Sequence, residues 1–262
     1  NVALGDGSMS AVQAGADSNT VVGHSALSSL TTGDQNSAFG RGTLNNVTTG
    51  SYNSALGFAS LNQNTGQYNT AVGAGSLQLN TTASNNTAVG YKAGYSNTTG
   101  AYNTFLGDIA GRDNTTGSAN TAVGYGSMFE GTTTGSSNTA VGTVSMQNLS
   151  SGSYNVAIGT DSLKANTTAS QNTAVGYQSL YTNTTGASLS AVGVGALYAN
   201  TTGSNNVAMG TSSLVSNTTG ASNTGLGRDA LRSNTTASNN TAVGYLALTA
   251  NTTADYNTAV GG

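Results

Sequence analysis

A five-residue motif recurs along the whole chain at intervals of about 17 residues. The motif, Asn-Thr-Ala-Val-Gly at residues 69–73, occurs sixteen times in identical or related form. Its closing glycines are Gly5, Gly23, Gly40, Gly57, Gly73, Gly90, Gly107, Gly124, Gly142, Gly159, Gly176, Gly193, Gly210, Gly227, Gly244 and Gly261. Self-similarity at a fixed period is the sequence signature of solenoid proteins. We therefore predict one continuous repeat domain over residues 1–262. The start at Asn1, inside a motif and without Met, predicts a segment of a longer polypeptide.

Two segments of each repeat have strand character. The first is Thr-Ala-Val, which is β-branched and apolar, and the second centres on a recurring leucine such as Leu27, Leu61, Leu163 or Leu197. A helix is excluded because glycine and β-branched residues recur in every unit and no apolar stripe of helical period persists. Two strands and two turns per unit predict an all-β parallel β-solenoid, or β-roll, of about 15 coils of 17 residues.

The Asn-Thr-Thr-Gly segment is predicted to be a turn, because the repeat changes length there. One repeat has lost a threonine at residues 64–66, and another has gained residues around 131–135. Loops tolerate such changes and packed strands do not. Asn-Thr-Thr is also an N-glycosylation sequon, which could carry sugar in a eukaryotic secreted chain and is inert in a prokaryotic or phage protein.

The first motif position is asparagine in fifteen of sixteen copies, the exception being Leu189. Stacked coils would place these amides above one another, which predicts a hydrogen-bonded ladder along the axis. The alternative is that asparagine simply favours the turn before a strand, and both can hold. The predicted ladder contains Asn53, Asn69, Asn86, Asn103 and Asn120.

The third and fourth motif positions are apolar or small, although adjacent strand residues point to opposite faces. Both faces of the strand are therefore expected to be buried, and a thin roll has only one interior. The second face is predicted to lie against another copy of the chain, through Val72, Val89, Val123, Val141, Val175 and Val243.

One set of substitutions predicts which positions share the interior. Phe105 replaces the usual alanine at the third position, and the leucine positions before and after it are Gly94 and Gly111. A large residue in place of a small one, beside small residues in place of large ones, conserves the total side-chain volume of a close-packed core. The third position and the leucine position are therefore predicted to share one cavity.

Composition excludes several function classes. The six basic and nine acidic residues are scattered, whereas a nucleic-acid binder has a clustered basic patch. No apolar run is long enough for membrane insertion. His24 is the single histidine and Glu130 the single glutamate, so catalytic triads, acid–base pairs and histidine metal sites lack parts. We predict no catalytic residue, no cofactor and no metal. The charges at 108–113 and 228–232 are interpreted as solvated, with a ligand patch as the alternative.

The motif, as at Asn69 to Gly73 and Asn172 to Gly176, resembles the repeat in the heads of trimeric autotransporter adhesins. The full unit with Asn-Thr-Thr-Gly resembles repeats in bacteriophage tail fibres and long bacterial surface proteins. The resemblance implies a left-handed β-roll assembled as a homotrimer in an extracellular, cell-surface or virion fibre. The repeat here is longer than the adhesin repeat, so trimer contacts do not transfer residue by residue.

These observations predict a structural or adhesive fibre shaft that displays a binding tip, and not an enzyme. A host cell surface or glycan receptor would then be contacted by regions outside this segment. The alternative is an ice-binding solenoid that uses a threonine column, which contains Thr20, Thr70, Thr87, Thr104 and Thr121 and is interrupted by Val2, Val156 and Val207. A polysaccharide-cleaving tailspike is disfavoured because carboxylates are scarce.

Overall fold

The chain forms one three-residue strand per repeat, built from motif positions 2 to 4, in a computed structural model that describes residues 1–261. The strands are β1 (Val2–Leu4), β2 (Thr20–Val22), β3 (Ser37–Phe39), β4 (Ser54–Leu56), β5 (Thr70–Val72), β6 (Thr87–Val89), β7 (Thr104–Leu106), β8 (Thr121–Val123), β9 (Thr139–Val141), β10 (Val156–Ile158), β11 (Thr173–Val175), β12 (Ser190–Val192), β13 (Val207–Met209), β14 (Thr224–Leu226), β15 (Thr241–Val243) and β16 (Thr258–Val260).

The strands pair in parallel with their chain neighbours inside each of two compact units. Contacts divide the chain into two compact units, Asn1–Thr134 with β1 to β8 and Gly135–Gly262 with β9 to β16. Within each unit equivalent repeat positions are in register, as in Ala71 opposite Ala88. The predicted all-β parallel β-solenoid of about 15 turns of 17 residues is therefore confirmed. Residues 1–261 include no helix of the length and apolarity that crossing a membrane requires.

The segment around the recurring leucine is a turn, so the predicted second strand is wrong. Leu77 has a φ of 46°, and the residue two places before it, Gly75, is also left-handed at 70°. The Ser76 N–H donates to the carbonyl oxygen of Gly73 in the same coil, while the Leu77 N–H donates to Ala93 in the next. The backbone therefore curls at every second residue and still bonds along the stack, a pattern that strand propensity does not predict.

The Asn-Thr-Thr-Gly segment is a bend, as predicted, and its threonines bond between coils. The Thr81 N–H and Oγ1 both donate to the carbonyl oxygen of Thr98, at 3.0 and 2.9 Å. The residue that ends this segment has no positive φ, which agrees with the alanine found there in Ala83. The turn thus adds hydrogen bonds between successive coils.

The interior of each coil has an apolar side and an amide side. Ala71 of the strand and Leu77 of the turn are fully buried, and so are the amides of Asn69 and Asn80. Short side chains at the third position let the leucine cross the interior, which gives the thin, close-packed core that a 17-residue coil permits.

The glycine that closes each motif is required by the stacking. Gly107 has a φ of 137°, which L side chains rarely adopt, and a Cβ there would lie 2.7 Å from the carbonyl oxygen of Gly124. The same relationship holds between Gly73 and the carbonyl oxygen of Gly90, where a Cβ would lie closer still. Adjacent coils approach through this column too closely for any side chain.

Candidate functional site

The outward face of the strands is the most extensive feature that the fold leaves without a covering layer. Motif positions 2 and 4 point outwards and position 3 points inwards. The three residues of a strand such as β5 are therefore half-buried, buried and half-buried in turn. All six valines of the predicted interface lie half-buried on this face: Val72, Val89, Val123, Val141, Val175 and Val243. In the first unit, Val72 stands beside Val89 in the ladder, and Leu106 beside Val123.

Several larger residues of this column are more exposed than the six valines of the predicted interface. Leu56 is 52% exposed and Leu106 47%, and Ile158 and Met209 are also exposed in the second unit. Each unit therefore presents a line of aligned apolar side chains, one per coil. The six valines remain partly exposed to solvent in the described chain.

The threonine column lies beside the apolar column on the same face. Thr70, Thr87, Thr104 and Thr121 are successive residues in register, and their side chains are exposed or half-buried. The valine at Val156 occupies the equivalent half-buried position in the second unit. The outward face is thus a two-column surface of hydroxyl and methyl groups.

The structure brings the predicted asparagines of the motif column together. Asn53 Oδ1 accepts both the backbone N–H of Asn69, at 3.0 Å, and its Nδ2, at 3.2 Å. The contact continues as the N–H groups of Asn86 and Asn103 donate to the Oδ1 of the preceding asparagine, at 3.0 and 2.8 Å. Asn120 joins in the same way, its N–H donating to Asn103 Oδ1 at 2.9 Å. Each asparagine Oδ1 therefore links its coil to the next one mainly by accepting from the backbone N–H of the next asparagine in the column.

The amide nitrogens of this column close the coils. Asn86 Nδ2 donates to the carbonyl oxygen of Gly100, and Asn103 Nδ2 donates to Gly117, each at 2.9 Å. Each asparagine thus ties the start of its coil to the end of the same coil. The same asparagine side chain therefore serves in both the ladder and the turn. Its Oδ1 accepts between coils, and its Nδ2 donates within its own coil.

A second column of asparagines, at the start of each Asn-Thr-Thr-Gly turn, was missed by sequence reasoning. Asn97 Nδ2 donates to Asn80 Oδ1 at 2.7 Å, and Asn114 Nδ2 donates to Asn97 Oδ1 at 2.7 Å. Each also donates to the carbonyl oxygen three residues later, for example from Asn97 to Gly100 at 2.9 Å. The available signal was the recurrence of asparagine at one position of the repeat, which turn preference alone also explains.

The burial of this second column bears on the sequons. The side chains of Asn80, Asn97 and Asn114 are fully buried, and their Nδ2 atoms are the groups that a glycan would modify. A sugar on such an atom would take the place of one of its two N–H donors and enter the packed interior. The folded coil has no room for it, whatever the origin of the chain.

The charged clusters contain paired side chains. Arg112 contacts Asp113 through two hydrogen bonds, at 2.9 and 2.7 Å, and its guanidinium lies 4.4 Å from the ring of Phe129. The hydrogen bonds that Arg112 donates to Asp113 raise the pKa of Arg112, and the hydrogen bond that Lys164 donates to Asp161 likewise raises the pKa of Lys164. Both cations are thus paired, and the Arg112 and Asp113 side chains are 34% and 26% exposed, so they are less solvated than the sequence predicted.

The second cluster pairs two arginines with one carboxylate. Arg228 and Arg232 lie 3.2 and 3.8 Å from Asp229, and both arginine side chains are mostly exposed. The Asp229 side chain is only 11% exposed, so its carboxylate is screened by water less than that of a surface ion pair. The interpretation of this cluster as solvated therefore holds for the arginines and not for the carboxylate.

The single histidine contacts a serine and a carboxylate at the surface. Ser25 Oγ lies 3.1 Å from His24 Nδ1, and Asp6 Oδ2 lies 3.7 Å from His24 Nε2. The imidazole is 57% exposed and the carboxylate 94%, so bulk water competes for both contacts. Among residues 1–261 no cluster of three or more metal-ligating side chains is present.

The repeat architecture is the feature by which this chain can be compared with known proteins. Comparison with protein-family models, with curated proteins and with solved structures gave no match.

Proposed function

We propose that this chain is a shaft segment of a homotrimeric extracellular, cell-surface or virion fibre, which holds a binding tip away from the surface that carries it. The observation that carries the proposal is the apolar column on the outward face, aligned coil after coil in each unit. Soluble monomers seldom expose a continuous apolar patch. A partner copy would cover the column and leave the rest of each coil in water.

The solenoid suits a spacer for a physical reason. Each coil contacts only its neighbours, so length is gained by adding repeats without changing any contact within a coil. The three-fold arrangement comes from the resemblance to trimeric adhesin heads and phage fibres, since an apolar column requires only that something cover it. A closed three-fold assembly would bury the same column of every copy against its neighbours.

The experiment that tests this proposal compares two aspartate substitutions. Val123→Asp places a carboxylate in the apolar column, and Thr116→Asp places one at an exposed turn position of the same repeat region. An unpaired charge in a buried contact is costly, whereas an exposed one is tolerated. Val123→Asp is expected to dissociate or unfold the assembly, and Thr116→Asp is expected to keep the wild-type mass in light scattering. A Val123→Asp protein that keeps the wild-type mass contradicts the proposed interface.

A second candidate function is ice binding, which the outward threonines favour. Thr87 and Thr104 are exposed and in register, as a surface that orders water would require. The candidate ranks second because the adjacent apolar column and the valine at Val156 break up the hydroxyl pattern. Thermal hysteresis in a freezing assay would support it, and its absence at micromolar protein would remove it.

A further inference from the structure

A surface groove of about 280 Å³ crosses three successive coils of the first unit. It lies over the second residue after each motif glycine, which here is Ser25, Gly42 and Ala59. A Cβ at Gly42 would have only Asn62 Nδ2 within 4 Å, at 3.9 Å, so open space lies above it. The volume is close to the lower end of the roughly 300–1,000 Å³ range of ligand sites, which suits one small unit such as a sugar ring.

The groove lies in a run of five small residues at this repeat position, Gly7, Ser25, Gly42, Ala59 and Gly75. In later coils the same position holds Lys92, Ile109 and Val144, with a φ of 49°, 52° and 48°. Ala59 has a φ of 54°, so the backbone is the same and only the side chain differs. The position therefore accepts bulky side chains, and the small residues that open the groove are not imposed by the fold.

An unpaired cation and an exposed aromatic ring line the groove. Of the six basic residues, five contact a carboxylate or an aromatic ring; these are Lys92, Arg112, Lys164, Arg228 and Arg232. Arg41 makes no such contact with any described residue and lines the groove. Beside it the ring of Phe58 is 59% exposed.

Side-chain amides complete the lining. Asn62 is fixed in place, since its Nδ2 donates to the Gly42 carbonyl oxygen at 2.8 Å and its Oδ1 accepts from Asn46 at 3.1 Å. Asn45 Oδ1 accepts from Ser28, which leaves Asn45 Nδ2 without an acceptor in residues 1–261. The groove therefore offers a free guanidinium, a free amide donor and an aromatic face.

The backbone of the groove is not available to a peptide. The Gly42 N–H donates to the His24 carbonyl oxygen, and the Ala59 N–H donates to that of Arg41, each at 3.0 Å. An extended peptide needs free backbone groups to pair with, and here these donors are used between coils. A ligand must therefore be recognised by side chains alone, which favours a small polar ring with hydroxyls and an anionic group.

We propose that this groove binds an acidic saccharide. The guanidinium of Arg41 pairs with a carboxylate or sulfate, since its planar donors match such anions in a bidentate arrangement. The C–H face of the sugar packs on Phe58, and a hydroxyl accepts from Asn45 Nδ2. The chain carries a net charge of −3, so attraction of an anion depends on this local cation and not on the overall field. The site lies within one chain and does not depend on the proposed shaft role.

Titration calorimetry of the intact assembly tests the proposal with a carboxylated probe, oligogalacturonate, and a sulfated probe, sulfated dextran oligomers. The controls are neutral dextran, inorganic sulfate and poly-aspartate. Saturable binding of either acidic saccharide, at least about tenfold tighter than the controls, is expected, and the tighter arm identifies the anionic group. Equal binding of neutral dextran, inorganic sulfate or poly-aspartate, or no binding, overturns the proposal.

Matched variants locate the site. Arg41→Gln and Ala59→Ile are each expected to weaken binding about tenfold or more, the first by removing a charge-assisted hydrogen bond and the second by filling the groove. Arg228→Gln and Ser212→Ile make the same changes at the equivalent repeat positions of the second unit, and are expected to change binding less than about twofold. If the first-unit variants and their second-unit counterparts lost equal binding affinity, the assignment of the site to this groove would be wrong. Circular dichroism shows whether each variant is folded, and Arg41→Gln keeps the test decisive if Ala59→Ile is not.

Discussion

The ring of Phe105 occupies the space beside Gly94 that a side chain there would need. A Cβ at Gly94 would lie 2.5 Å from Phe105 Cδ2, and one at Gly111 would lie closer still to Phe105 Cδ1. The ring therefore fills the volume that leucine fills in other coils, such as Leu77. The predicted shared cavity is confirmed, and the two glycines are explained by one large neighbour.

Gly94→Leu is expected to destabilise the first unit by about 1–3 kcal/mol, because a second large side chain would overpack the cavity. Gly195→Leu is the matched control, since Gly195 has a similar φ of 64° and a Cβ there would meet nothing within 4 Å. Denaturant unfolding measures both. The double variant Gly94→Leu with Phe105→Ala should recover part of the loss, and strictly additive costs would show that the two sites do not share a cavity.

Gly107→Ala is expected to cost about 2–4 kcal/mol, because it combines a strained backbone with a clash against the next coil. Gly195→Ala is the control, since a Cβ there would meet nothing within 4 Å and the equivalent repeat position holds Ala59 with a φ of 54°. Thermal unfolding followed by circular dichroism compares the two. Similar losses for both variants would mean that the motif glycine is not specially required.

Asn97→Ala is expected to cost about 2–4 kcal/mol, since it removes two donated bonds and leaves Asn114 Nδ2 without one of its acceptors inside the coil. Asn46→Ala is the control, because its amide is exposed and donates to Asn62 Oδ1 at 3.1 Å. Denaturant unfolding should separate the two variants clearly. A cost for Asn97→Ala no larger than that of the control would remove the second asparagine column from the account of stability.

The period of the repeat was sufficient to predict the solenoid and its register, because coils of equal length must stack equivalent residues. The cavity around Phe105 was predictable for a related reason, since compensating volumes are visible in the sequence. The left-handed conformation of Leu77 was not, because a lone leucine between variable residues carries no signal for its φ. The buried ladder through Asn97 was also hidden, since local turn preference explains the same residue and its burial depends on the coils above and below.

The surface groove was not predictable from any local motif. Arg41 and Phe58 are 17 residues apart and become neighbours only when coils stack. Reading the repeat position of Ser25, Gly42 and Ala59 as a column would have shown five small residues in a row, from Gly7 to Gly75. The absence of a partner for Arg41 needed the structure, because pairing depends on side-chain reach.

We propose that the outward apolar column, which includes Val72 and Val123, is covered by other copies of the chain. The mass of the wild-type segment in solution, measured by multi-angle light scattering at micromolar concentration, tests this most directly. We expect a particle of three times the 25.7 kDa chain mass that persists on dilution. A stable, folded particle of 25.7 kDa would contradict it.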